Sequence, residues 1–302
     1  MAVLPHQPRT RQLAAVLTAH LVVALVALVV IGGATRVMEA GLACPDWPLC
    51  YGTLLPGRQM NLQVFLEWFH RLDAFLVGLA LLGLTGLSLT ARRSLPSWLP
   101  WGSAGALALV ALQGALGALT VSHLLAAPTV TAHLMTALVL VLLVSALHQG
   151  LAPAADASQA TPAWWIALVL IATASLLGQC LLGGSMASRW AADLCLSSGS
   201  GCPWLLAHRL GAWPVLLAVP LLTLASWGLP GGCRHPRGLL LGASALVGLQ
   251  AVLGVATLRL QLQVPAVTVT HQLLAALLVA LLGAVLGRSL LTLSPSPTPA
   301  FP

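Results

Sequence analysis

Apolar residues fall in eight long runs, approximately 13–33, 65–90, 98–121, 128–150, 163–184, 205–228, 238–258 and 266–287, separated by stretches richer in Pro, Ser and Arg. A helix needs about 20 residues at a rise of about 1.5 Å to cross the hydrocarbon of a bilayer. The pattern therefore predicts an all-α integral membrane protein with eight transmembrane helices. The first run follows Arg9 and Arg11, as a signal peptide would, but its apolar core is too long and Gly32-Gly33-Ala34-Thr35-Arg36 is a poor cleavage site. It is read as a retained span.

Composition agrees. Of 302 residues, 59% are hydrophobic and 6% charged, with a mean hydropathy of +0.96, which excludes a soluble globular domain. The net charge of +7 comes from Arg alone, scattered singly or in pairs between apolar runs. No basic face forms, so nucleic acid is excluded as a partner. With the N-terminus in the cytoplasm, inner segments hold Arg9, Arg11, Arg92, Arg93, Arg234, Arg237 and Arg288, against Arg36, Arg58, Arg189 and Arg259 outside. That excess predicts both termini in the cytoplasm. Trp98, Trp101, Trp164, Trp165 and Trp227 fall at inner helix ends and Trp68, Trp190 and Trp204 at outer ones, as anchors at the interface would.

The chain repeats itself. Leu109-Val-Ala-Leu-Gln-Gly-Ala-Leu-Gly117 returns as Leu246-Val-Gly-Leu-Gln-Ala-Val-Leu-Gly254, Pro128-Thr-Val-Thr-Ala-His133 as Pro265-Ala-Val-Thr-Val-Thr-His271, and His70-Arg71-Leu72 as His208-Arg209-Leu210. Both His pairs are 138 positions apart. The expected architecture is two pseudo-symmetric four-helix bundles, residues 1–150 and 163–302, joined by a cytoplasmic linker at 151–162. An even number of spans per half makes this a parallel repeat.

His6, His148 and His235 lie in the tail or near inner helix ends, and His20 has no counterpart. His70, His133, His208 and His271 are expected in the outer third of the membrane, near the tops of helices 2, 4, 6 and 8. Ionisable side chains inside a bilayer are costly and mark functional sites. Two facing imidazoles in each half suit a haem iron clamped from both sides, as in b-type cytochromes. Zinc would want further Cys, Asp or Glu ligands, which the second half lacks. Arg36, Arg71 and Arg209 are candidates for haem propionates, because the guanidinium offers a planar donor fork. A shift of 138 sets Leu205 opposite Glu67 and Gly211 opposite Asp73, so only the first half keeps carboxylates beside its His. A held electron-transfer group needs only ligands and a quiet pocket, whereas oxygen chemistry needs a proton donor or acceptor nearby. Glu67 and His70 share one helix face.

Gly32-Gly-Ala-Thr-Arg36, Cys44-Pro-Asp-Trp-Pro-Leu-Cys50, Glu67-Trp-Phe-His70-Arg71 and the single His of helices 4, 6 and 8 together resemble the haem A synthase family, over nearly the whole chain and in order. The resemblance implies a haem-dependent oxidoreductase of the cell membrane. Its substrate is haem O, whose C8 methyl group is oxidised to a formyl group by successive hydroxylations and loss of water, giving haem A for terminal oxidases. It implies haem b as cofactor on His208 and His271, the substrate haem at His70 and His133, and a functionally important carboxylate at Glu67. Haem O synthase and an unidentified electron donor follow as partners, and a homo-oligomer stays open.

Cys44 with Cys50 and Cys195 with Cys202 fall in outer loops, where an oxidising compartment favours disulfides. Each short loop would contribute about 2 kcal/mol. Thiol exchange with a redox partner, or help in haem transfer, is the alternative that the resemblance implies for the first pair. Cys180 and Cys233 are read as free. The rival to an enzyme is a non-enzymatic dihaem electron carrier, with a haem transporter or chaperone as a third class. Reporter fusions after Arg93, within 151–162 and at the C-terminus are all expected to report the cytoplasm. An outer signal at the C-terminus would invert the placement of every His.

Overall fold

The computed structural model describes residues 9–152, 160–187, 202–231, 233 and 236–291. Eight helices are long and apolar enough to cross a membrane. They are α1 (Arg9–Val37), α2 (Leu62–Thr90), α3 (Leu99–Ser122), α4 (Ala127–Leu151), α5 (Ala163–Ala187), α6 (Pro203–Ala225), α7 (Arg237–Arg259) and α8 (Pro265–Leu290). Most run a turn or less beyond the apolar pattern. α6 ends earlier, because Ser226–Gly228 winds into a 3-10 turn. α3, α4, α6 and α8 each carry Pro in their first turn, where the missing N–H is one the helix could not use.

Helix α1 packs on α2 and α4, α2 on α3, and α3 on α4; α5 packs in the same way on α6 and α8, α6 on α7, and α7 on α8. α4 and α8 lie against each other in the middle, with α1 also against α8 and α5 against α4. Gly283 and Gly287, one turn apart on α8, make that approach close. A Cβ at either position would stand 2.5 Å and 2.2 Å from the main-chain oxygens of Leu142 and Ala146. Ser145 donates to the Ala280 carbonyl at 2.6 Å across the same seam. Small residues that let backbones meet are the usual way to join helices where lipid removes the hydrophobic drive.

Polar bridges recur at matching places. Ser88 and Ser103 link α2 to α3 at 2.9 Å, and Thr223 and Ser244 link α6 to α7 at 2.7 Å. Thr18 meets His148 between α1 and α4, and Trp165 donates to Ser289 between α5 and α8. The turns after α3 and α7 match as well: Leu124 and Leu125, and Gln261 and Leu262, all have left-handed φ of 49–61°. Consecutive non-glycine residues in that region are costly, yet both copies make the same turn hydrogen bonds. Trp165 departs from the interfacial expectation. It is buried to 1% exposure, because its ring fills the α5–α8 seam and its N–H finds Ser289. Trp190 lies outside the described residues.

Arg11 donates to the Leu151 carbonyl and Arg288 to the Gln149 side chain at 2.9 Å. Both hold the foot of α4. Gly283→Leu is expected to wedge α8 from α4 and cost about 1–3 kcal/mol, read as a lower unfolding midpoint in detergent. Gly86→Leu, which meets nothing within 4 Å, should leave the midpoint unchanged.

Candidate functional site

Asn61 caps α2 by accepting the Val64 N–H at 3.0 Å. The cap fixes the phase of the helix, and its first three turns carry Glu67, His70 and Arg71. Pro128 and Pro265 open α4 and α8 and set His133 and His271 in their second turns, while Pro203 does the same for His208 on α6.

The rings of His70 and His133 face each other, with centroids 6.3 Å apart and planes at 72°. Two imidazoles on opposite sides of one metal, with bonds of about 2.0 Å, have ring centres about 6 Å apart. His208 and His271 also lie close enough to interact electrostatically. His70, His133 and His271 each keep a buried Nδ1 without a hydrogen-bond partner among the described residues. An unpaired buried nitrogen costs about 1–3 kcal/mol, and this donor set fits a haem iron in each half. No group of three or more His, Cys, Asp or Glu gathers among the described residues.

Every one of the four rings rests against a glycine of the preceding helix. An added Cβ would stand 2.9 Å from His70 Cε1 at Gly32, 3.6 Å from His133 Cε1 at Gly117, 2.9 Å from His208 Cε1 at Gly183 and 3.1 Å from His271 Cε1 at Gly254. Glutamines accompany three of them. Gln113 donates to the His133 carbonyl at 2.9 Å. Gln179 donates to the His208 carbonyl at 2.9 Å and stands 3.1 Å from its Nδ1, and Gln250 lies 3.4 Å from His271 Nε2. The sequence reading found the repeat that contains Gln113, Gly117, Gln250 and Gly254 but gave those residues no role. Amide side chains inside apolar spans were the signal.

Glu67 is buried to 4% exposure, and both of its oxygens are engaged. Oε2 accepts the Cys44 N–H at 2.8 Å, and Oε1 pairs with Arg71 at 2.5 Å. Arg71 also donates to the carbonyls of Asp46 and Leu49. Its fork is thus spent on Glu67 and the loop after α1 rather than left for another carboxylate. Cys44 and Cys50 are disulfide-bonded, with Cα atoms 4.8 Å apart, and the Asp46 carboxylate accepts the N–H groups of Tyr51 and Gly52. Glu67 therefore ties this loop to the helix that carries His70, a contact that helical spacing alone does not show.

Arg36 sits in the last turn of α1, and Arg209 is exposed on α6. Cys195 of the second predicted disulfide lies outside the described residues, so its pairing with Cys202 does too. Cys180 and Cys233 are free. His20 bonds its own helix at Val16. His123, which the sequence reading did not place, ends α3 with Nδ1 on the Leu119 carbonyl.

The fold and these contacts define a multi-pass membrane protein that carries half-buried histidines at matching places of a repeated bundle. The chain belongs to the COX15-CtaA family of cytochrome oxidase assembly proteins, whose profile matches residues 14–283. Among similar proteins is the Heme A synthase of Shewanella oneidensis, 31% identical over 56% of this chain and 55% of the relative's length. The Heme A synthases of Brucella anthropi and Brucella ovis are each 28% identical over 85% of this chain, covering 87% and 86% of their own lengths.

Gly183→Ala is expected to displace the His208 ring and lower co-purified haem by about 10-fold. Gly117→Ala, whose methyl would make only ordinary contact with His133, should leave it nearly unchanged. Pyridine haemochrome spectra of the two purified proteins give the comparison.

Proposed function

We infer that this protein oxidises haem O to haem A. The observation that carries the reading is the close pair of His70 and His133 rings with a carboxylate beside it, and a second His pair at the matching places of the repeat without one. Membership of a cytochrome oxidase assembly family and the names of the similar proteins support it.

In this reading His70 and His133 hold the substrate haem in the half formed by residues 1–150, and His208 and His271 hold haem b in the half formed by residues 163–302. Haem b supplies one-electron transfer when bound. The Gly32 and Gly183 backbones hold the rings of His70 and His208 where no larger residue would fit. Glu67, one turn from His70, keeps a second lone pair on each oxygen beyond its bonds to Cys44 and Arg71. It can therefore accept or return a proton on the substrate side. Arg71 holds that carboxylate in place and closes the Cys44–Cys50 loop over the outer end of the first half. Arg36 and Arg209 would meet the propionates. The apolar helices keep bulk water from the reacting carbon. Haem O synthase delivers the substrate, a separate donor supplies electrons, and the protein sits in the cell membrane with both termini in the cytoplasm.

His208→Met or His271→Met is expected to shift or remove the haem b spectrum, since ligand field and anchoring both change, and to lower haem A yield as a result. Glu67→Ala should keep that spectrum but cut conversion by about 100-fold or more, or strand a hydroxylated intermediate, seen by chromatography of extracted haems. Arg71→Ala separates the roles, because it frees the loop and leaves the carboxylate. Normal haem A yield from Glu67→Ala would leave Glu67 as a strut of the loop alone, and equal loss of haem b from changes in either half would favour a dihaem carrier.

A further inference from the structure

The four glycines that meet the histidines are not alone on their helices. One turn earlier stand Gln113 before Gly117 on α3, Gln179 before Gly183 on α5 and Gln250 before Gly254 on α7; before Gly32 on α1 stands Leu28. Residues four apart share a helix face, so each helix offers its His a gap and, one turn below it, an amide in three cases and an isobutyl group in the fourth.

A glutamine buried among apolar helices is costly unless it is bonded, and all three bond or approach the His of the next helix. Gln179 and Gln250 also keep a buried Oε1 without a partner among the described residues. An amide carries both donor and acceptor. It can therefore serve a ring nitrogen in either protonation state, including the N–H that an imidazole presents to its surroundings once its other nitrogen binds metal. Such outer partners fix ring orientation and typically change metal affinity 10–100-fold. Leu28 has no polar side-chain group to offer His70, whose buried Nδ1 has no hydrogen-bond partner among the described residues.

We propose that Gln179 and Gln250 are positioning residues that hold the iron-binding imidazoles of His208 and His271, that Gln113 holds His133 only through its main-chain carbonyl, and that Leu28 makes His70 the ligand that releases. The inference rests on the haem assignments given under the proposed function. It explains how one scaffold keeps one haem and lets the other go: the second half has an amide for both of its His, and the first half for only one.

The test uses purified holoprotein in detergent, with carbon monoxide as the probe of an open iron site. Reduced haem b of the unmodified protein is expected to bind it in no more than about one part in 50, and Gln179→Leu and Gln250→Leu should each raise the bound fraction about 10-fold or more. Gln179→Glu and Gln250→Glu, which keep the shape and an acceptor oxygen, should restore the unreactive state. Leu28→Gln should increase the haem retained per chain without altering the haem b spectrum. Leu variants that stay unreactive, or Glu variants as reactive as the Leu ones, would reduce the amides to packing. Unchanged haem retention in Leu28→Gln would overturn the role of His70. If His208→Ala leaves haem content unaltered, the haem assignment itself fails, an outcome separate from these.

Discussion

An imidazole on an apolar helix has to meet its surroundings at close range, because lipid offers neither hydrogen bonds nor a polar solvent to share. The protein meets that constraint with backbone. At Gly32, Gly183 and Gly254 the neighbouring helix comes so near the His ring that a methyl group would overlap it or press hard against it. Helix positions, ring orientation and the outer turns all follow from holding these approaches. The left-handed pairs Leu124-Leu125 and Gln261-Leu262 are the steepest cost paid for them, since they reverse the chain tightly enough to set α4 against α3 and α8 against α7.

The same device joins the halves. Gly32 and Gly183 each have a second glycine beside them, and those serve the other half: a Cβ at Gly33 would overlap the Gln272 side chain on α8, and one at Gly184 would press on Leu134 on α4. Gln272 follows His271 in the chain, and Leu134 follows His133. Each Gly-Gly pair thus fixes the His of its own half with one residue and the His-bearing central helix of the other half with the next. Any shift of α1 or α5 would disturb a ring in one half and a helix in the other. The Gly-Gly pairs thus place contacts to both halves side by side on α1 and on α5.

Much of this was legible in the sequence. Eight spans follow from run length, and the repeat and the four His follow from echoes such as His70-Arg71-Leu72 and His208-Arg209-Leu210. Two kinds of feature were not legible. Trp165 reads as an interfacial anchor because it sits at a helix end, yet which side of the helix meets α8 depends on the tertiary crossing, and the indole is buried there. Glu67 and Arg71 read as groups facing the membrane site, yet a loop that closes through Cys44 and Cys50 returns its own N–H and carbonyls to them. Spacing along a helix shows which residues share a face. It does not show what another segment places against that face.

The differences between the halves are coupled by the same short distances. In the second half an amide at Gln179 leaves no room on the facing turn of α6: a Cβ at Gly211 would stand 2.6 Å from Gln179 Oε1. In the first half the equivalent pair is Leu28 and Asp73, so the amide and the glycine have both been replaced. Gln179 requires the glycine opposite it, and the first half, with Leu28 in that place, carries a carboxylate instead. Glu67, set against Leu205, falls on the same side of the division. The half with acidic groups near its His is therefore also the half in which Leu28 stands where the other has Gln179, and one local exchange of packing for charge distinguishes the two sites.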